Sequence, residues 1–112
     1  MTIAYLNGDY APLADVRISP MDRGFLFGDG VYEVIPCYDG NMVALQYHLE
    51  RLHQSLEGIT LSQPHSDAQL TGILSEVVAR NGAGNLGIYL QITRGVVEKR
   101  EHAFPENLLP TI

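Results

Sequence analysis

Apolar residues recur along the chain with two different periods, and the changes between them divide it into strands and helices. Over Val31 to Tyr38 the side chains alternate, with Val31, Glu33, Ile35 and Cys37 on one face and Tyr32, Val34, Pro36 and Tyr38 on the other, the period of a strand. Pro36 has no backbone N–H to give, so the strand has an edge or a bulge there. From Leu45 the spacing lengthens. Leu45, Leu49, Leu52, Leu56 and Ile59 follow one another at steps of four and three, a helical stripe that faces a core. A second helix begins at Ser66, where Ser66 and Gln69 have the spacing of a capping box, and runs through Leu70, Ile73, Leu74, Val77 and Val78 to Asn81-Gly82. Leu86, Ile88, Leu90 and Ile92 then alternate with Gly87, Tyr89 and Gln91, a strand with one buried face.

Turn chemistry joins these elements. Asn7-Gly8, between Ile3–Leu6 and Asp9–Pro12, supplies the positive φ angles of a type I′ hairpin, and Asp39-Gly40 turns the chain into Asn41-Met42-Val43, a second hairpin. Ser19 to Gly24 reads as a short turn or a single helical turn, and Phe25 to Gly30 as a glycine-punctuated loop. After Thr93-Arg94-Gly95 the chain becomes charged and irregular, then ends on Leu108-Leu109-Pro110-Thr111-Ile112. Such an apolar tail is what a cut before a following strand would leave. The fold class predicted is α+β, one domain over residues 1–112 with two helices packed on a largely antiparallel sheet.

Composition narrows the function classes. With 46% hydrophobic and 18% charged residues in 112, the chain suits one globular unit. A net charge of -6 with dispersed Lys and Arg excludes a nucleic-acid surface, which needs clustered cations. The single Cys37 forms no internal disulfide and reads as core packing, so a reducing, cytoplasmic setting is expected. The first residues lack a basic start followed by a long apolar stretch, and no run reaches membrane-spanning length. No Cys/His spacing fits zinc, and no glycine pattern fits a Walker or dinucleotide loop.

Several polar residues admit two readings each. Arg51 stands in the first helix away from the leucine stripe, where a guanidinium grips a phosphate or pairs with Glu50 or Glu57. Tyr32 offers a phenol for a substrate carboxylate or is an edge tyrosine with a wet hydroxyl, and Val34 is an apolar wall on the same face. Arg100 and His102, two apart on an extended segment, form a receptor for an α-carboxylate or belong to a solvated charged loop. His48 and His53 have no metal spacing. Glu33 and Asp29 are explained by strand position and turn chemistry without acid/base work.

The strings Asp22-Arg23-Gly24, Phe27-Gly28-Asp29-Gly30-Val31-Tyr32-Glu33-Val34 and His48-Leu49-Glu50-Arg51-Leu52 together resemble the class IV aminotransferases. That family includes D-amino acid and branched-chain aminotransferases and aminodeoxychorismate lyase. The likeness runs from the Asn-Gly hairpin to Phe104-Pro105-Glu106-Asn107. It implies the small N-terminal domain of an enzyme that uses pyridoxal 5'-phosphate, with two subunits completing each site of a homodimer. It also implies Arg51 as the phosphate ligand, Tyr32 and Val34 in the substrate pocket, and Arg100 with His102 as the carboxylate trap of the D-amino acid subgroup.

Such transamination requires a lysine amine to move a proton at the substrate. The one lysine here, Lys99, lies in the charged loop and does not match the family's catalytic position, which belongs to a C-terminal domain beyond residue 112. The expectation is therefore a parent enzyme moving an amino group from a D-alanine-like amino acid to a 2-oxo acid, with this chain inactive by itself. A branched-chain aminotransferase or an aminodeoxychorismate lyase keeps the fold with another substrate. A non-catalytic binding or dimerisation module is the alternative of another class.

Overall fold

The computed structural model describes residues 1–112. Its elements are β1 (Ile3–Leu6), β2 (Asp9–Pro12), a single 3-10 turn (Leu13–Asp15), α1 (Arg23–Phe27), β3 (Gly30–Tyr38), β4 (Asn41–Met42), α2 (Leu45–Gly58), α3 (Asp67–Arg80) and β5 (Leu86–Thr93). The fold is α+β, as the periods predict. Strands β1 and β2 form a separate hairpin, and β4, β3 and β5 form an antiparallel sheet in that order. The Asn7-Gly8 turn has the predicted positive φ, 49° and 106°, and the Asp39-Gly40 turn shares it at 50° and 77°.

Strand β3 is paired unequally on its two sides. It matches β5 from Gly30 opposite Thr93 to Cys37 opposite Leu86, while β4 pairs only with Cys37 and Tyr38. The Pro36 carbonyl accepts from the Val43 N–H at 2.8 Å, and without an N–H of its own the residue cannot extend that ladder. The predicted edge is therefore real, and the rest of β3 is open on this side.

Four elements build the core, each with three side chains. Leu49, Leu52 and Leu56 of α2 and Leu70, Leu74 and Val78 of α3 pack on Val31, Ile35 and Cys37 of β3 and Ile88, Leu90 and Ile92 of β5. Cys37 is fully buried there, as packing. The Ser66 hydroxyl and the Gln69 side chain cap α3 reciprocally, as the spacing predicts. The helices cover one face of the sheet. On the other, Tyr32, Val34, Tyr38 and Tyr89 are each at least half exposed. No helix is long and apolar enough to cross a membrane.

The segment Phe25–Phe27 departs from expectation, because it is the second half of helix α1 and not a loop. Asp22 caps this third helix by accepting from the Gly24 N–H at 2.8 Å, and Gly28 ends it in the left-handed region at φ 63°. Sequence spacing misses so short a helix because five residues show less than two turns of periodicity. The buried Asp22 carboxylate also accepts from the hydroxyls of Thr93 at 2.7 Å and Thr111 at 2.6 Å. It thereby ties α1 to the end of β5 and to the C-terminal residues. The apolar tail is anchored as well, since Thr111 pairs with Thr93 and the Ile112 carbonyl accepts from the Asn7 N–H.

A second buried carboxylate follows α1. Asp29 accepts from Arg23 Nε and Arg94 Nε, both at 2.7 Å. Arg94 also reaches the carbonyls of Ile59 and Thr60, the residues that follow α2. Burial alone would raise the Asp29 carboxyl, but the hydrogen bonds and charges of Arg94 and Arg23 override it and hold the group below its ordinary range.

This packing sets expectations for stability. A Cβ on Gly24 would overlap the Thr93 methyl, so Gly24→Ala is expected to cost about 1–3 kcal/mol in denaturant unfolding. Thr93→Ser, which removes that methyl and keeps the hydroxyl on Asp22, should recover part of the loss in the double variant. Acid tests the buried carboxylate. Because the folded Asp29 binds its proton less readily than the unfolded one, its contribution is complete above the unfolded value near 4 and is lost as pH falls through the lower folded value. Thermal melts should thus vary little with pH on account of this group down to about pH 5 and fall below about pH 4. Asp29→Asn should flatten that fall while costing about 3 kcal/mol at neutral pH.

Candidate functional site

Period-two geometry sorts the candidate residues of β3 onto opposite faces. Tyr32 and Val34 stand on the face that no helix covers, opposite Gln91 and Tyr89 of β5. The Tyr32 ring stacks on Tyr89, with centroids 5.7 Å apart and planes 22° from parallel. A flat aromatic and aliphatic floor results, with the Tyr32 hydroxyl free to meet a polar group.

Glu33, between them, points to the helix side and is 3% exposed. Its carboxylate accepts two bonds from the Arg51 guanidinium, from Nε and Nη2 at 2.9 Å, and meets His48 Nδ1 at 2.7 Å. Arg51 and His48 lie three apart on α2 and so share a helix face. Neither Glu50 nor Glu57 is the partner of Arg51, because the bond crosses from helix to strand. The His48 side chain is only 12% exposed and rests on this carboxylate. Burial would raise the Glu33 carboxyl, but hydrogen bonds from Arg51 and His48 bring it below its usual value. The same Glu33 carboxylate raises the Arg51 pKa, which keeps its charge permanent.

These residues fit one edge of a phosphate site. The Arg51 side chain is half exposed, with Nε and Nη2 on Glu33 and the Tyr47 ring 5.5 Å from the guanidinium. A buried carboxylate on the opposite edge holds the plane of the guanidinium, leaving donors toward solvent for a doubly charged oxyanion. No buried amine accompanies it. Lys99 is exposed at a bend of the C-terminal loop.

Arg100 and His102 occupy a different neighbourhood. Their segment bends and is not a strand, so the side chains do not simply alternate. Both converge on Phe27, with the Arg100 guanidinium 4.8 Å from the ring centroid and the His102 ring 4.9 Å from it. Both remain exposed. No hydrogen bond, ion pair or ring contact joins them to Tyr32, Val34 or Arg51. His53 pairs with Asp67 at 2.7 Å between α2 and the start of α3. Glu33 and Asp29 form no acid/base pair, since each is committed to its own cations.

The spacing of the motifs leaves Arg23, Arg94 and Asp22 out of the candidate set, although all three are more than nine-tenths buried. A signal was available. It lay in Asp22-Arg23-Gly24 beside Phe27-Gly28-Asp29-Gly30, charges set in an apolar, glycine-punctuated run; Arg94, between Thr93 and Gly95 at the end of the β5 alternation, has no aspartate near it in the chain.

Comparison with known proteins bears on the family and the fold. Residues 30–111 match the family described as amino-transferase class IV. The chain is 38% identical over 105 residues to a D-alanine aminotransferase of Staphylococcus epidermidis, a match that covers 94% of this chain and 37% of that protein. A D-alanine aminotransferase of Listeria monocytogenes is 37% identical over 102 residues, 91% of this chain and 35% of that protein. The chain thus spans little more than a third of these relatives. Among solved structures, 4-amino-4-deoxychorismate lyase from Pseudomonas aeruginosa has a TM-score of 0.78 at 28% identity, over 96% of this chain and 36% of that one. The branched-chain amino acid aminotransferase of Escherichia coli has a TM-score of 0.89 at 22% identity, over 98% and 38%, and so shares the fold. A sequence match over most of the chain and a shared fold from β1 to the tail lead to one conclusion: this chain belongs to the class IV aminotransferase family.

Proposed function

We propose that residues 1–112 are the N-terminal small domain of a longer, cytoplasmic, homodimeric enzyme that uses pyridoxal 5'-phosphate. It transfers an amino group from a D-alanine-like amino acid to a 2-oxo acid. The observation that carries this reading is the 38% identity with a D-alanine aminotransferase across 94% of the chain. The exposed Arg100 and His102 around Phe27 add to it. A branched-chain amino acid aminotransferase of the same fold is known in complex with N-(5'-phosphopyridoxyl)-L-glutamate, which supports the cofactor assignment.

Each side chain then has a task. Arg51, held in plane by Glu33, binds the cofactor phosphate through its free edge. When bound, the cofactor supplies the electron sink that lets the amino nitrogen change carbon. Tyr32 and Val34 form the floor on which the substrate side chain lies, and the Tyr32 hydroxyl gives a hydrogen bond to its polar end. Arg100 and His102 receive the α-carboxylate as paired cationic donors. The separation of that pair from Tyr32 and Val34 within one chain fits a site completed by the second subunit. The uncovered face of the sheet suits a position against the cofactor-bearing part of the enzyme.

Two measurements test this reading. In the full-length enzyme, D-alanine with 2-oxoglutarate should turn over faster than L-leucine. Arg100→Ala should lower D-alanine kcat/KM by about 100-fold, as loss of a charge-assisted bidentate contact does. Faster L-leucine turnover, or unchanged activity in the variant, assigns the enzyme to another subgroup. For the 112-residue chain, incubation with pyridoxal phosphate, borohydride reduction and peptide mass mapping should give no stoichiometric lysine adduct. A stoichiometric adduct on Lys99 that D-alanine discharges before reduction would make this chain an enzyme in its own right.

A further inference from the structure

The segment from Glu98 to Asn107 has no strand or helix to fix its course, yet it carries Arg100 and His102. Its backbone is held instead by one buried side chain. Arg23, 2% exposed, donates from Nη1 to the carbonyls of Glu101 at 2.6 Å and Ala103 at 3.4 Å, and from Nη2 to that of His102 at 3.1 Å. Three consecutive carbonyls therefore converge on a single guanidinium, whose remaining donor, Nε, is spent on Asp29.

Aromatic contacts reinforce the same seat. Phe27, four residues after Arg23 on α1, lies under the Arg23 guanidinium at 4.8 Å and meets both Arg100 and His102. Phe104 lies against Arg94 at 3.7 Å and Arg23 at 5.8 Å. The loop is thus gripped on each side of His102, by rings and by carbonyls, while the two side chains that face outward make no hydrogen bond of their own within the protein. Successive carbonyls aimed at one point fix the rotation of the backbone between them, and with it the directions in which Arg100 and His102 leave the chain.

We propose that Arg23 is a positioning residue for substrate carboxylate recognition, acting through the carbonyls of Glu101, His102 and Ala103, with Phe27 as the ring that spaces Arg100 from His102. The inference rests on the reading of Arg100 and His102 as the carboxylate receptor. The requirement is specifically for arginine. A planar fork meets Asp29 on one edge and three carbonyls on the others at once, whereas a lysine keeps the charge beside Asp29 but has one nitrogen for all of these acceptors.

The test is a ratio measured in the full-length holoenzyme: the rate constant for reaction with D-alanine divided by that with ethylamine, which lacks the carboxylate. Arg23→Lys should lower this ratio about tenfold or more, chiefly through KM for D-alanine, the worth of one charge-assisted hydrogen bond lost at the receptor. A merely structural role would lower both rates in proportion, and an unchanged ratio overturns the proposal. Phe27→Leu keeps an apolar side chain and removes the ring. It should lower the ratio about threefold, the worth of a weak ring contact, and decides the matter if Arg23→Lys does not fold. Arg100→Ala separates the two claims. If it too leaves the ratio unchanged, the receptor itself is misassigned, whereas a collapsed ratio in Arg100→Ala beside an unchanged one in Arg23→Lys and Phe27→Leu refutes only the positioning role.

Discussion

Two guanidiniums and one carboxylate, all buried, decide how the parts of this domain meet. Asp29 sits where α1 hands over to β3, Arg94 where β5 ends, and Arg23 at the start of α1. One negative charge cannot by itself compensate two desolvated cations, so the remaining guanidinium donors must find other acceptors. They find backbone carbonyls, those of Ile59 and Thr60 after α2 and those of Glu101 to Ala103 in the C-terminal loop. The need to satisfy buried donors therefore draws two irregular segments to fixed places, which apolar packing alone would leave free to slide.

The glycines of the same stretch follow from this closeness. Gly24 lies against the Thr93 side chain, and a Cβ at Gly30 would come within 2.7 Å of the Ile92 carbonyl oxygen. The run from Asp22 to Gly30 resembles a ligand-binding loop in one dimension. In three it is a capped helical turn wedged against the end of β3 and β5, with its polar residues turned inward as structural ties. Its proposed link with chemistry is indirect, through the loop that Arg23 holds.

Strand β3 divides the remaining work by its pleat. Even-numbered residues Tyr32 and Val34 floor the uncovered face, while odd-numbered Glu33 crosses beneath to α2 and orients Arg51. One strand thus supports both the apolar surface proposed for the substrate and the cation proposed for the phosphate, and its rigidity comes from the leucine-rich core on its inner face. Placing such groups on a strand and a helix, and only the proposed carboxylate receptor on a loop, is the arrangement that holds geometry best where the backbone is regular.

Periodicity alone sufficed for the elements that bury a continuous face. The hairpins, β3, β5, α2 and α3, the Ser66 capping box, the burial of Cys37 and the opposed faces of β3 all follow from local spacing and turn chemistry, because each is decided by neighbours within a few residues. The family resemblance rested on similarly local strings. What those strings could not reveal is which charges meet. Helix α1 is too short to show a period, helix spacing offers Arg51 only Glu50 and Glu57 as ion-pair partners and not Glu33, and nothing local shows that Arg23 and Arg94 share Asp29. Apart from the contact of Arg23 with Asp29, their partners lie 18 to 80 residues away in the chain. Local pattern determines which face of an element is apolar, and the sequence by itself determined that here. Only the tertiary structure decided the pairing of buried ions and the seating of the Arg100 and His102 loop, because long-range electrostatics depends on where folded elements bring charges together and leaves no periodic trace along the chain.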